Sequence, residues 1–388
     1  METQEPKKKI HFMDYLLDGI FFLFLLLVTI LLYVNESSCI KTKKTLIEAK
    51  GAMVKVDDVS VVDEALNGKL IHATAFADTK EVLTDGLYDV SETALYLRRR
   101  VEYYQYEEKS RRKDKKTTYY YNKEWNSSPI SSKNFHSSSH RNFVIVKIEQ
   151  QSVCANDARF GGYRLPKFII SSIGGGDSAP VKVSNDELRQ WEKVIADNLT
   201  ALGKTAPDGV SMVHVSGNVV YYGRSPSDPA IGDVRVTFTK IPPLQLSLIA
   251  KVSGDTFEKY MSDTGNTFTV VKRGTVSAET MFSSAHSTNT LDAWVYRLIL
   301  LLLSIIAWRA MFNILPDFIK SSVFLDSLRN AGIKVFQIVV GCVWTCFVIA
   351  GTWLQFRPLV SIALLSCVIA GITYLKNKGK TVQSDGSQ

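Results

Sequence analysis

Residues 15–34 read YLLDGIFFLFLLLVTILLYV, an apolar run of 20 whose one charge is Asp18. A hydrocarbon core about 30 Å thick is crossed by roughly 20 residues of helix, so this stretch is long enough to span a bilayer. Three further runs close the chain: Trp294–Phe312, Val335–Leu354 and Leu359–Leu375, the last only just sufficient. Between the first and second runs lie the polar residues 35–293, enough for one or two soluble domains. The expected architecture is a membrane protein. An α-helical bundle of four spans (one plus three) would hold a large mainly-β (α+β) domain by both ends.

Lys7, Lys8 and Lys9 precede the first run, as in a secretory signal. A signal core is shorter, about 7–15 residues, and ends at a small-x-small cleavage site. Here Asn35-Glu36-Ser37-Ser38 follows, so the run is read as an uncleaved anchor over 15–34. Four spans put both termini on one side, and both are basic, with Lys376, Lys378 and Lys380 in the tail. By the positive-inside rule residues 1–14, the loop 313–334 and the tail 376–388 are cytosolic, and residues 35–293 face a lumen. Lys41, Lys43 and Lys44 run against that rule.

Sequons at Asn35, Asn126 and Asn198 all fall in the lumenal block. Asn35 is too close to the bilayer, which leaves Asn126 and Asn198 as glycosylation candidates. Cys39 and Cys154, 115 residues apart, are read as free thiols, although an oxidising lumen would permit a disulfide.

Period-two alternation marks the block as largely strand. Val234, Val236 and Phe238 alternate with Arg235, Thr237 and Thr239, and Leu244 to Ser253 alternates likewise. Lys69–Ala77, Phe143–Glu149 and Thr267–Lys272 are further strand candidates. Leu97–Glu108 and Thr117–Trp125 frame a tip without apolar residues, which predicts a long hairpin with its charges in water. Ser184-Asn185-Asp186-Glu187 fits a capping box ahead of Leu188, Trp191, Val194, Ile195 and Leu199 at helical spacing. Strands opening at Gly68 and again at Gly217 form an internal echo. It raises the expectation of two tandem small β-barrels split near residue 155.

No catalytic set stands out, so the chain is read as a non-enzyme without a cofactor. Gly203-Lys204-Thr205 lacks the upstream glycine of a phosphate loop, since position 198 is Asn. His136 and His140 have metal-ligand spacing but sit in a Ser-rich loop with no carboxylate or thiol nearby. The net charge of +8 is concentrated: residues 98–123 hold ten Lys or Arg against four acidic residues. In a lumen that excludes nucleic acid as the partner and leaves anionic lipid head groups. Lys109, Arg111, Arg112, Lys113, Lys115 and Lys116 would make that contact, but a tip simply solvated by water is the preferred reading.

Charges within membrane segments are costly and therefore informative. Asp18 and Arg309 lie at similar depth on antiparallel spans, where they either pair or snorkel. Arg297, near the opposite face, is read as snorkelling to the lumenal interface without a partner. No span shows the repeated polar face a channel needs.

The stretches Leu97-Arg98-Arg99-Arg100-Val101-Glu102-Tyr103-Tyr104-Gln105-Tyr106, Tyr119-Tyr120-Tyr121-Asn122-Lys123-Glu124-Trp125, Gly232-Asp233-Val234-Arg235-Val236-Thr237-Phe238 and Trp353-Leu354-Gln355-Phe356-Arg357-Pro358-Leu359 resemble the transmembrane protein 43 (LUMA) family. The resemblance implies a multi-pass protein of the endoplasmic reticulum and nuclear inner membrane with its large domain in the lumen. It also implies self-association and a part in nuclear envelope organisation, with emerin and lamins as partners. A non-enzymatic membrane scaffold is the leading expectation. A lumenal protein that binds or modifies lipid at the membrane surface is the alternative.

Overall fold

The computed structural model describes residues 12–113, 116–314 and 333–354, then 358–359, 361–363, 365–367, 369–370 and 373. It divides into two compact units. One comprises Met1–Gly51, Met261–Phe268 and Phe282–Gln388; the other comprises Ala52–Tyr260 and Thr269–Met281.

The first unit is helical. Helix α1 spans Phe12–Ala52 and so continues well past Val34, where the apolar run ends. Nothing stops it earlier, because no proline and no glycine occur between Gly19 and Gly51. The mainly-β block therefore begins after residue 52 rather than at 35. Two short helices, α2 (Lys167–Ile170) and α3 (Asn185–Ala201), belong to the second unit. Helix α4 runs Ala278–Ile314, starting well before Trp294. Helix α5 covers Ile333–Trp353.

Gly19–Ala52 and Ala278–Ala310 are long and apolar enough to cross a membrane. The expected fourth span, 359–375, is helical at each residue described, while the loop 313–334 and both tails lie largely outside the described residues. Val28, Leu32 and Leu300 form a small buried core joined by Phe24, Leu303, Val348 and Ile349. Gly341 lets α4 and α5 approach closely, since a Cβ there would stand 2.8 Å from the Cα of Ile305.

The second unit is mainly β. Its first sheet contains β1 (Val54–Val56), β2 (Leu70–Asp78), β8 (Arg159–Phe160), β9 (Tyr163–Arg164), β14 (Leu244–Ser253), β15 (Thr256–Glu258) and β18 (Val270–Arg273). The order is β15-β14-β2-β8-β9, with β1 on β2 and β18 on β14. The second sheet contains β5 (Tyr96–Lys113), β6 (Lys116–Asn126), β7 (Gln151–Cys154), β10 (Asp177–Ser178), β11 (Val213–Ser216), β12 (Val219–Tyr222) and β13 (Val234–Ile241). Its order is β11-β12-β13-β5-β6, with β10 on β13 and β7 on β5. Outside these sheets, β3 (Val82–Asp85) pairs with β4 (Val90–Thr93), and β16 (Tyr260–Met261) with β17 (Thr267–Phe268).

This topology corrects the expectation of tandem barrels. β2 pairs with β14 and β5 with β13, so each sheet draws strands from both sides of residue 155. Leu95, Phe160, Ile195, Phe238 and Leu248 share one core. Neither half could close a sheet alone, and the echo at Gly68 and Gly217 marks only two strands that start after a left-handed turn (φ +77° and +59°).

Two local readings also change. Phe143–Glu149 is not a strand, and its two buried residues, Ile145 and Ile148, are three apart, a spacing that period two does not give. The Tyr103 hydroxyl donates to the Ile148 carbonyl at 2.6 Å and a neighbouring strand is not needed. On β14 both faces are covered, so Ser247 and Ile249 are buried beside Leu246 and Leu248. Ser247 is satisfied by Thr74 (Oγ to Oγ1, 2.7 Å), the Gly274 carbonyl and the Val276 amide.

Gly161 carries the tightest backbone approach. Its φ is +59°, and a Cβ there would lie 2.2 Å from the Val59 carbonyl oxygen. Gly161→Ala is expected to cost about 2–4 kcal/mol, combining left-handed strain with overpacking. Gly68→Ala, with φ +77° and open space around it, should cost about 1–2 kcal/mol. Thermal unfolding of the two full-length variants in one detergent would check the order; equal losses would refute the packing argument.

Candidate functional site

A cluster of charged and aromatic groups in the helical unit lies just beyond the apolar run of α1. Because α1 stays helical past Val34, Glu36 faces α4 one turn beyond Leu32 instead of lying in a loop. Its carboxylate is fully buried and is gripped by the Arg297 guanidinium in a fork: Nε to Oε1 at 2.6 Å and Nη2 to Oε2 at 2.7 Å. From α5, the Trp353 indole Nε1–H donates to Oε2 at 2.7 Å. The guanidinium also lies 4.9 Å from the Trp294 ring centroid and 5.5 Å from that of Trp353. Nearby, Asn289 Nδ2 donates to the Cys39 carbonyl at 3.3 Å.

The chemistry of this cluster is restrictive. Two planar groups meet in the geometry that makes bidentate charge-assisted bonds strong. Both carboxylate oxygens accept hydrogen bonds and the two charges neutralise each other, an arrangement suited to holding helices. The cluster ties three helices together just past the apolar run of α1. It corrects the reading of Arg297 as an unpartnered, snorkelling residue. Glu36 was the residue that sequence reasoning missed, because the run had been taken to end at Val34. The available signal was the absence of a helix breaker after it.

The other intramembrane charges are not brought together by anything described. Asp18 lies on α1 with its side chain outside the described residues, and Arg309 is exposed on α4.

The basic hairpin is a regular ribbon of β5 and β6 that runs to Lys113 and Lys116, further than expected. Lys109 is drawn to Glu107 (3.0 Å) and Glu124 (3.5 Å). Arg111, Arg112 and Lys116 are exposed, whereas the side chains of Lys113 and Lys115 lie outside the described residues. His136 and His140 have a different role from metal spacing: they stack on Tyr119 and Tyr121 at 4.1 and 3.9 Å, strapping the serine-rich loop to one face of the ribbon. Asn126 ends β6, and Asn198 is half-buried on α3. Cys39 and Cys154 are free thiols, and burial pushes the Cys154 thiol up.

Inside the β unit, Leu87, Tyr88, Val146, Ile148, Trp191 and Tyr222 help line a cavity of about 180 Å³. Behind it Arg99 Nη1 meets Asp85 Oδ1 at 2.6 Å, with both side chains almost fully buried. Burial raises the Tyr88 phenol, and raises that of Tyr222 to about 12, so both stay protonated.

A family model described as Transmembrane protein 43 matches residues 100–358. The chain is 28% identical over 367 residues to Transmembrane protein 43 of Rattus norvegicus, covering 87% of this chain and 84% of that one. It is 25% identical over 375 residues to the Homo sapiens protein of that name, covering 90% and 86%. A Drosophila melanogaster homolog is 22% identical over 282 residues, 69% of each chain. No solved structure matches the chain.

Proposed function

Since this chain belongs to the Transmembrane protein 43 family, we propose that it is a multi-pass protein of the endoplasmic reticulum and nuclear inner membrane that serves as a non-enzymatic scaffold. Both termini face the cytosol or nucleoplasm, and the β unit lies in the lumen. The protein self-associates and organises the nuclear envelope and adjoining endomembranes, with emerin-like membrane proteins and lamins as partners.

One observation carries this reading. The buried charges at the lumenal end of the helices neutralise each other: Glu36 and Arg297 pair in a fork that Trp353 joins, a set that ties three helices together. The lipid-handling alternative has less behind it. The apolar cavity of the β unit, about 180 Å³, falls below the roughly 300 Å³ at which ligand pockets begin, and a pocket of about 310 Å³ in the helical unit is lined mainly by Ser, Thr and Asn. Lys109 of the basic tip is already neutralised by Glu107 and Glu124.

The test is purification of the tagged full-length protein in mild detergent, with mass spectrometry of what remains bound. Envelope or reticulum membrane proteins at near-stoichiometric amounts are expected. A single enriched lipid species without a protein partner would overturn the scaffold.

A further inference from the structure

The β5–β6 ribbon has two long edges, and the protein treats them differently. On the β5 edge, Tyr104 exchanges backbone hydrogen bonds with Gly232 and Asp233. Two residues on, the Asn142 side chain caps both backbone groups of Tyr106, at 2.7 and 2.9 Å. These contacts show that even-numbered residues of β5 point their backbone groups away from β6. The register Gln105↔Glu124, Glu107↔Asn122 and Lys109↔Tyr120 then leaves the odd-numbered residues of β6 facing outward. β6 is the last strand of its sheet, and among the described residues Thr117, Tyr119, Tyr121 and Lys123 have no backbone partner on that side. An exposed strand edge of this length is a template for another strand.

We propose that β6 pairs with β6 of a second copy of this chain, antiparallel and centred on Tyr120. This rests on the self-association in the proposed function and names the surface responsible. The sequence of the strand is complementary to itself in that register. On the open face Lys116 meets Glu124 of the second copy, Thr118 meets Asn122, and Tyr120, 49% exposed, meets its own equivalent. Thr117 and Lys123, and Tyr119 and Tyr121, exchange about eight backbone hydrogen bonds across the twofold axis. The two basic tips end about 26 Å apart, eight residues of strand, where their repulsion is screened. The opposite face already holds the histidine straps, so pairing leaves those stacks in place.

The test uses the full-length protein in detergent or nanodiscs. Tyr120 would sit on the axis with its Cα about 4.5 Å from its equivalent, within disulfide range. Tyr120→Cys should therefore give an oxidised dimer well above the background of the native cysteines, whereas Thr118→Cys alone should not. Lys116→Glu and Glu124→Lys each place two like-charged pairs across the axis and should weaken self-association about tenfold. Differently tagged Lys116→Glu and Glu124→Lys chains, when mixed, restore both pairs and should co-purify. A mixture no better than either variant alone, or a Tyr120→Cys adduct with a different protein, would overturn the proposal. If the wild type still self-associates in that case, only the edge is wrong. If it does not, the self-association in the proposed function fails as well.

Discussion

Glu36→Gln should destabilise the helical unit by about 3–5 kcal/mol, because it leaves the Arg297 guanidinium buried without its counter-charge. Arg297→Gln should cost a similar amount by stranding a carboxylate that is fully buried. The double variant removes both charges and should be no worse than either single change, since an amide pair can still hydrogen-bond. Trp353→Phe deletes one donor to Glu36 and should cost less, about 1–3 kcal/mol. Thermal unfolding of the four proteins in one detergent supplies the cycle. Additive losses would mean that Glu36 and Arg297 are solvated independently, and the lock would not exist.

The second large effect is expected in the β unit. Asp85→Ala removes the carboxylate facing Arg99 at 2.6 Å, in a place where the two side chains are 3% and 7% exposed. Among the described residues Arg99 then keeps the Glu149 carbonyl, which its Nε reaches at 3.0 Å, and the Tyr88 ring, whose centroid lies 5.7 Å from the guanidinium carbon. A loss of about 3–5 kcal/mol is expected, a large part of a domain's usual 5–15 kcal/mol. Replacing both partners, Asp85→Leu with Arg99→Met, should recover much of it, as an apolar pair of similar volume often does. Limited proteolysis of the full-length variants in detergent reads this directly. If Asp85→Ala resists protease as well as the wild type, the pair adds nothing to the core.

These two pairs also show where sequence reading reached and where it stopped. Local rules were sufficient where one short segment carries its own signal. Ser184 and Glu187 form the expected capping box on α3, and Val234, Val236 and Phe238 are buried as their alternation required. Both missed pairs join residues whose meeting depends on tertiary structure. Period two does place Arg99 on the same face as Leu97 and Val101. Its partner Asp85, however, arrives from a separate hairpin that no local pattern aligns. Glu36 and Arg297 are 261 residues apart and meet only because α1 continues as helix past Val34. The interleaving of strands from either side of residue 155 was hidden for the same reason: a strand's alternation reports its buried face and not its neighbour.

Protease protection in sealed microsomes addresses the central claim most directly, namely that the β unit is held in a lumen by a clamped helical stem. Protease added outside should trim only the termini and the 313–334 loop, leaving a protected fragment that contains the β unit until detergent opens the vesicle. Cleavage within residues 54–273 of intact vesicles, at the exposed hairpin above all, would place the β unit on the cytosolic face and contradict the account.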